Sequence, residues 1–284
     1  MAIVREMPLL NVSKIDVSNK VYANIDLDNA GERMVIGAGE VVAYVQRRPG
    51  KTTDNEDCAG VFSLGNNDCA LVVADGMGGA PCGADASRIV VESLQKAFDV
   101  AKASEFGYRE SMLNGIDEAH SGIAALGVGA GSTLAAVEIF DNVLRPYHVG
   151  DSMIMVIGQK GKIKLQTIMH SPVGYAVESG LLDEDEALHH DDRHLISNYL
   201  GHPEMRIEIG PPLSLSRYDT VLIASDGLFD NLQVNEIVQL IRKDPLVKVS
   251  ERLVDLCSAR MLNKDPMYPS KPDDISFILF RRKQ

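Results

Sequence analysis

Ala70-Leu71-Val72-Val73-Ala74-Asp75-Gly76-Met77-Gly78-Gly79 sets five small or apolar residues against a single acid, and three of the four positions after that acid are glycine. Such a run reads as a buried strand that delivers Asp75 to a tight turn in which the backbone itself is exposed. Just upstream, Val61-Phe62-Ser63-Leu64 and the turn signal Gly65-Asn66-Asn67-Asp68 predict a hairpin partner, so that Glu56-Asp57 and Asp75 bracket neighbouring strands. An isolated Asp-Gly is an ordinary turn former. Its surroundings give this one more weight.

The same device recurs along the chain. Thr220-Val221-Leu222-Ile223-Ala224 ends in Ser225-Asp226-Gly227-Leu228-Phe229-Asp230, and Val143-Leu144-Arg145-Pro146-Tyr147-His148-Val149 leads into Gly150-Asp151-Ser152. Asp273-Asp274 stands at the start of the strand Ile275-Ser276-Phe277-Ile278-Leu279-Phe280. Ala86, Ile89, Val90, Leu94, Ala97, Phe98 and Ala101 recur at helical spacing, as do Met112, Leu113, Ile116, Ala119 and Ile123, which predicts two amphipathic helices over one sheet face. Two more helices are expected at about 233–242 and 247–262. Strands at 41–46, 134–139, 153–157 and 163–168, joined by tight turns, predict antiparallel sheets and not parallel βαβ units.

The remaining segments carry less chemistry. Residues 1–33 read as a lead-in of loose chain or short edge strands. Gly127-Val128-Gly129-Ala130-Gly131-Ser132-Thr133 lacks the lysine of a phosphate-binding loop and follows a helix, so it reads as a flexible entry into the next strand. Residues 170–215 are loop-rich and read as a lid or a disordered stretch, within which His189-His190-Asp191-Asp192-Arg193 reads as a solvated helix end.

At 284 residues, with 45% hydrophobic content, the chain can bury a substantial core. Its 28 Lys and Arg against 40 Asp and Glu give a formal charge of −12, which argues against a nucleic-acid or anionic-membrane partner, since both need clustered cations. Cys58, Cys69, Cys82 and Cys257 form no Cys-x-x-Cys pair, so reduced structural thiols and a cytoplasmic location are expected. Lys14 and Asp16 interrupt the only early apolar run, and no stretch approaches the roughly 18 apolar residues of a membrane span. Neither leader nor anchor is expected, and the chain is expected to be a monomer.

If Asp75, Asp151, Asp226 and Asp273 converge, with Glu56-Asp57 close by, each pair of charges repels by about 4 kcal/mol at 4 Å and an intermediate effective dielectric. Oxygen donors with no Cys and no core His suit hard divalent ions, Mg²⁺ or Mn²⁺. Two such ions about 3.5–4 Å apart, sharing one carboxylate, can activate a water and clamp a phosphoryl group for in-line attack.

Asp75-Gly76-Met77-Gly78-Gly79, Gly131-Ser132-Thr133, Gly150-Asp151-Ser152, Ser225-Asp226-Gly227-Leu228-Phe229-Asp230 and Asp273-Asp274 resemble, in order and spacing, the motifs of the metal-dependent serine/threonine protein phosphatases, the PPM or type-2C-like family. Asn55-Glu56-Asp57 fits the same pattern, and His170-Ser171 through Ser179-Gly180-Leu181 to His189-His190 and Leu200-Gly201 resembles the flap of the bacterial branch. The resemblance implies an α+β fold, a four-layer α-β-β-α sandwich of two antiparallel sheets flanked by helices, with residues 1–284 as a single domain and a flap at about 172–200. It implies that Asp75 bridges two Mn²⁺ or Mg²⁺ ions, that the Gly76 carbonyl ligates one of them, and that Asp226 and Asp273 hold the other. Glu56 and Asp57 would orient metal-bound waters, and Asp151, with Asp226, matches the site of a third, weaker metal. The implied reaction is hydrolysis of phosphoserine and phosphothreonine in phosphorylated proteins, by in-line attack of a water bridging the two metals.

Two positions depart from the family pattern. The arginine that binds substrate phosphate in many members, four residues before the Glu of the Glu-Asp pair, is Thr52 here with Lys51 beside it, and lysine supplies charge without the bidentate fork. Lys51 and Thr52 are therefore the candidate substrate-binding pair, with Arg47 or Arg48 as substitutes if the loop is rearranged. Met77 stands where eukaryotic relatives carry a histidine, leaving no side-chain general acid for the leaving alkoxide. The alternative reading is a phosphatase-like regulatory or phosphopeptide-binding domain with weak or no turnover. The acids alone also fit a di-metal hydrolase of small phosphoesters.

Overall fold

The computed structural model of the chain describes residues 19–283, apart from 38, 66, 79–81, 103–106, 128 and 264–266. Gly79 and most of the lead-in therefore lie outside the described residues. In chain order the elements are β1 (Lys20–Ala23), β2 (Glu32–Ile36), β3 (Gly39–Gln46), β4 (Asp57–Gly65), β5 (Asp68–Met77), α1 (Cys82–Lys102), α2 (Tyr108–Leu126), β6 (Gly131–Ser132), β7 (Leu134–Phe140), β8 (Val143–Val149), β9 (Met153–Ile157) and β10 (Ile163–Gln166). They continue with α3 (Pro172–Glu178), α4 (Glu184–Leu188), β11 (Glu208–Ile209), β12 (Leu213–Ser214), β13 (Thr220–Ala224), α5 (Asp226–Phe229), α6 (Val234–Ile241), α7 (Leu246–Leu262) and β14 (Ile275–Arg282).

One sheet has the order β1-β4-β5-β7-β8-β11, with β6 on β5 and β12 on β8; the other runs β10-β9-β13-β14-β3-β2. The pairings are antiparallel throughout. The central strands are apolar along their length because both faces of each sheet are covered there, so alternate residues enter different layers. On β5, Cys69, Leu71 and Val73 join the layer between the sheets, while Ala70, Val72 and Ala74 pack with α1 and α2 residues such as Val90, Leu94, Met112 and Ile116. On β13 and β14, Val221, Ile223, Ile278 and Phe280 face the inter-sheet layer, and Leu222, Ala224, Phe277 and Leu279 pack with Ile237, Val249 and Leu253 of α6 and α7. The four expected layers are thus present, each buried Val, Leu, Ile or Phe contributing about 1.5–3 kcal/mol.

Three expectations about local structure need correction. β5 does not end at Ala74; it continues through Asp75 to Met77, because Gly76 and Met77 pair with Ser132 and Gly131. That pairing also overturns the flexible-entry reading of Gly131-Ser132, both of which are buried in strand β6. The strand expected at 163–168 stops at Gln166, and Thr167 turns its hydroxyl to accept from the Ile154 backbone N–H at 3.0 Å.

The 170–215 stretch is built and not disordered. Ser171 caps α3 by accepting from Gly174 N–H at 2.9 Å. Asp183 and Glu186 close a capping box around the start of α4. Asp191–His194 form a single 3-10 turn with no buried residue, but it is more than a solvated helix end: Arg193 donates to the Leu188 carbonyl and, at 3.0 Å, to the Asp230 carbonyl.

Candidate metal centre

Asp75 is held by its backbone. The Thr133 hydroxyl accepts from Asp75 N–H at 2.9 Å, Thr133 N–H donates to Asp75 C=O at 2.8 Å, and Ser132 Oγ donates to the same carbonyl at 3.1 Å. Thr133 also shares a 2.6 Å hydrogen bond with Ser152, which ties Asp75 to the turn that carries Asp151. Gly76 N–H donates to Glu56 C=O at 3.0 Å. A side chain at Gly76 would strike the Gly83 carbonyl at 1.9 Å, so only glycine lets α1 start against this turn.

The second sheet supplies the other acids at the same edge. β13 and β14 are antiparallel neighbours, so Asp226 after β13 and Asp273 before β14 emerge together. Gly227 is what lets them meet: a Cβ there would lie 1.9 Å from the Asp274 carbonyl. Ser225 stitches this edge to the first sheet, donating its hydroxyl to Asp57 Oδ2 at 2.7 Å and accepting from Ser276 N–H at 3.1 Å. Asp226 is within hydrogen-bonding reach of Asp75 and Asp230. Burial, then the charges of Asp57, Asp226, Asp273 and Asp151, push the Asp75 carboxyl well above its ordinary value.

The remaining acids answer to the same crowding. Burial first, and then the Asp226 and Asp230 charges, push Asp151 up to about 8. Burial and Asp226 push Asp230 and Asp273 up to about 6. Asp226 goes the other way: burial would raise it, but the Lys271 ammonium holds it below its ordinary value. Lys271 Nζ lies 2.6 Å from Asp226 Oδ2, 2.7 Å from Asp230 Oδ2 and 3.3 Å from Asp273 Oδ2.

The donor set fits a hard divalent ion. The acidic side chains gathered here offer only oxygen, and Asp226 Oδ1 is a buried carboxylate oxygen with no hydrogen-bond partner.

Lys51 and Thr52 are placed differently from an open phosphate-binding pair. The Lys51 side chain is only 6% exposed, its ammonium 2.5 Å from Asp274 Oδ2 and 2.7 Å from Glu56 Oε2. Asp274 also accepts from the backbone N–H groups of Arg48 and Glu56, so it organises the whole 48–56 loop. Thr52 is exposed. Arg47 is bound to Asp26 through its backbone N–H and two guanidinium nitrogens.

Two buried histidines lie outside this oxygen set: His148 and His170, with ring centroids 4.5 Å apart, sit behind the Gly150-Asp151-Ser152 turn. Their hydrogen bonds make them a clamp. His170 Nδ1 accepts from Gly150 N–H and from Asn198 Nδ2, which places the ring proton on Nε2, toward Glu208 Oε2 at 2.9 Å. Although His148, His170 and Glu208 lie close enough together to suggest a cation site, that proton fills the gap.

Lys271, Asn231 and the structural roles of Thr133 and Ser225 were not read from sequence. Asn231 is fully buried and grips Lys271 on both sides, donating to its carbonyl at 2.8 Å and accepting from its N–H at 2.9 Å. The one available signal was position: Lys271 stands two residues before Asp273.

Comparison with known proteins agrees with this geometry. A model of the protein phosphatase 2C family matches residues 49–265. Protein phosphatase PhpP of Streptococcus pneumoniae serotype 2 is 30% identical over 212 residues, covering 72% of this chain and 85% of the relative. The S. agalactiae serine/threonine phosphatase structure superposes with a TM-score of 0.74 at 26% identity, covering 86% of this chain and all of that one. The catalytic domain of the serine/threonine protein phosphatase PstP, solved in complex with two manganese ions, superposes with a TM-score of 0.67 at 24% identity, covering 86% and 98% of the two chains. The chain belongs to the protein phosphatase 2C family, in its bacterial branch.

Proposed function

We propose that the protein is a phosphoprotein phosphatase that hydrolyses phosphoserine and phosphothreonine monoesters by in-line attack of water, with two Mn²⁺ or Mg²⁺ ions as cofactors. The observation that carries the reading is the meeting of Asp75, Asp226 and Asp273 from both sheets around an unpartnered buried carboxylate oxygen, Asp226 Oδ1. Asp75 would bridge the ions, the Gly76 carbonyl would hold one, Asp226 and Asp273 the other, and Asp151 with Asp226 a third. Bound there, the ions would supply Lewis-acid charge to the phosphoryl oxygens and lower the pKa of water. The protein's own part is preorganisation: Thr133 and Ser132 fix the Asp75 backbone, Ser225 fixes Asp57, and Lys51 fixes Glu56. Among the described residues, no helix is long and apolar enough to cross a membrane.

A phosphopeptide-binding domain with weak turnover is the second reading, favoured by the commitment of Lys51 to two carboxylates and the absence of charge at Thr52. Release of phosphate from phosphoserine and phosphothreonine peptides with Mn²⁺, and its loss with EDTA, tests the first reading. Metal-independent turnover would overturn it, and binding without turnover under saturating Mn²⁺ would support the second.

A further inference from the structure

A resident cation in an acid centre competes with the divalent ions that the acids would bind, and Lys271 is placed in this one against three carboxylates. Lys271 donates a hydrogen bond to Asp226 Oδ2 at 2.6 Å and stands as an ion-pair partner 2.7 Å from Asp230 Oδ2 and 3.3 Å from Asp273 Oδ2. Its backbone cannot drift away, because Asn231 holds both its N–H and its carbonyl. Pro272 follows directly and restricts the conformation of Lys271 itself. Only the four-carbon stem is free to move the charge.

We infer that Lys271 is a tethered competitor of the divalent ions, a built-in cation that neutralises the centre when metal is scarce and lowers its affinity for metal. The inference rests on the metal-centre reading above. Asp226 Oδ2 and Asp273 Oδ2, which Lys271 contacts, belong to two of the residues assigned to the ions, and the second Asp273 oxygen already accepts from Asp274 N–H at 3.0 Å. An ion that takes Asp273 Oδ2 must share that oxygen with the ammonium or displace it, while Oδ1 keeps one lone pair beside the Asp274 N–H. Arg193, whose guanidinium lies 3.4 Å from Asp230 Oδ1, is the other cation at this cluster; the three carboxylates with both cations leave a net charge of −1, and without Lys271 they leave −2 and attract a dication more strongly. The predicted consequence is that metal occupancy follows the supply of free divalent ion.

The test is a Mn²⁺ titration of metal-free protein, with free Mn²⁺ read by electron paramagnetic resonance and apo stability read by thermal melting in EDTA. Lys271→Met and Lys271→Gln are expected to bind Mn²⁺ at least tenfold more tightly than wild type and to melt lower in EDTA, while Lys271→Arg stays close to wild type on both readouts. Should either neutral variant fail to fold without metal but refold with Mn²⁺, that dependence itself supports the counter-ion role. Equal or weaker Mn²⁺ affinity in folded neutral variants would overturn the inference and leave the metal reading standing. No Mn²⁺ binding by wild type or variants would overturn both.

Discussion

Asp57 and Asp75 stand directly opposite each other in the antiparallel register of β4 and β5. Two carboxylates facing one another across a ladder are destabilising neighbours, and here the Asp226, Asp273 and Asp151 charges bear on Asp75 as well. Burial, followed by the Asp274 charge, likewise pushes the Asp57 carboxyl well above its ordinary value. Such a site is stable only with a counter-charge or a proton, so its chemistry and its metal-free stability pull in opposite directions.

Asp75→Asn should therefore divide the two properties. Removing the proposed bridging ligand is expected to lower kcat by about 10³ or more, the equivalent of about 4 kcal/mol of charge stabilisation. The same change relieves repulsion in the metal-free protein and should stabilise it by about 1–2 kcal/mol, or about 2–8 °C in Tm. Calorimetry in EDTA beside phosphopeptide kinetics with Mn²⁺ checks both halves; a lower apo Tm would show that Asp75 is not under strain.

Lys51 should behave as structure before it behaves as a ligand. Asp274 is 3% exposed and Lys51 6%, so Lys51→Met leaves a buried carboxylate without its ion-pair partner. The expected cost is about 3 kcal/mol, the low end for breaking a buried pair, because Glu56 keeps partial access to water. Asp274→Asn added to Lys51→Met should recover more than about 1 kcal/mol by removing the stranded charge. Urea midpoints of the two single variants and the double variant measure the coupling, and strictly additive losses would mean that the pair does not interact.

Strands and helices were legible because their apolar residues recur with periods of two and 3.6, and Asp75, Asp226 and Asp273 stood out because each borders an apolar run. What escaped the sequence is what depends on closure of the sandwich. Lys51 and Asp274 are 223 residues apart, and Lys271 and Asp226 are 45 apart, so neither pair leaves a local pattern. His148 lies within a strand and His170 in a loop, and neither spacing reveals a shared clamp. Glycine content made Gly131-Ser132 look flexible, when those residues are the strand that fixes Asp75.

His148 gives the fold an acid limit. Burial, and then the neighbouring His170, push it down to about 3, so it is neutral in the folded protein while an unfolded histidine titrates near 6.5. Glu208, exposed and paired with His170, is the carboxylate on the adjoining strand, and Ser152 C=O accepts the Nε2 proton at 2.6 Å. With the folded value depressed, the stability due to keeping His148 neutral is present above pH 6.5 and is lost as pH falls toward 3. Between pH 6.5 and pH 5 the loss is about 2 kcal/mol. His148→Gln should flatten this part of the stability profile, measured by urea unfolding at each pH, and an unchanged slope would assign the acid limit to other groups.

Thr52 is where the family pattern and this chain part most plainly. It is exposed on the loop that Asp274 and Lys51 secure, and its neighbour's ammonium is already committed to Glu56 and Asp274. A guanidinium at this position would bring a planar fork to a phosphate with no competing carboxylate of its own. Hydrogen bonds to charged groups are worth about 1.5–3 kcal/mol, so Thr52→Arg is expected to lower KM for p-nitrophenyl phosphate and for phosphopeptides by about tenfold or more, with a smaller change in kcat. Steady-state kinetics with saturating Mn²⁺ make the comparison. A KM that stays the same or rises would mean that position 52 does not face the substrate phosphate, and that the loop presents another group to it.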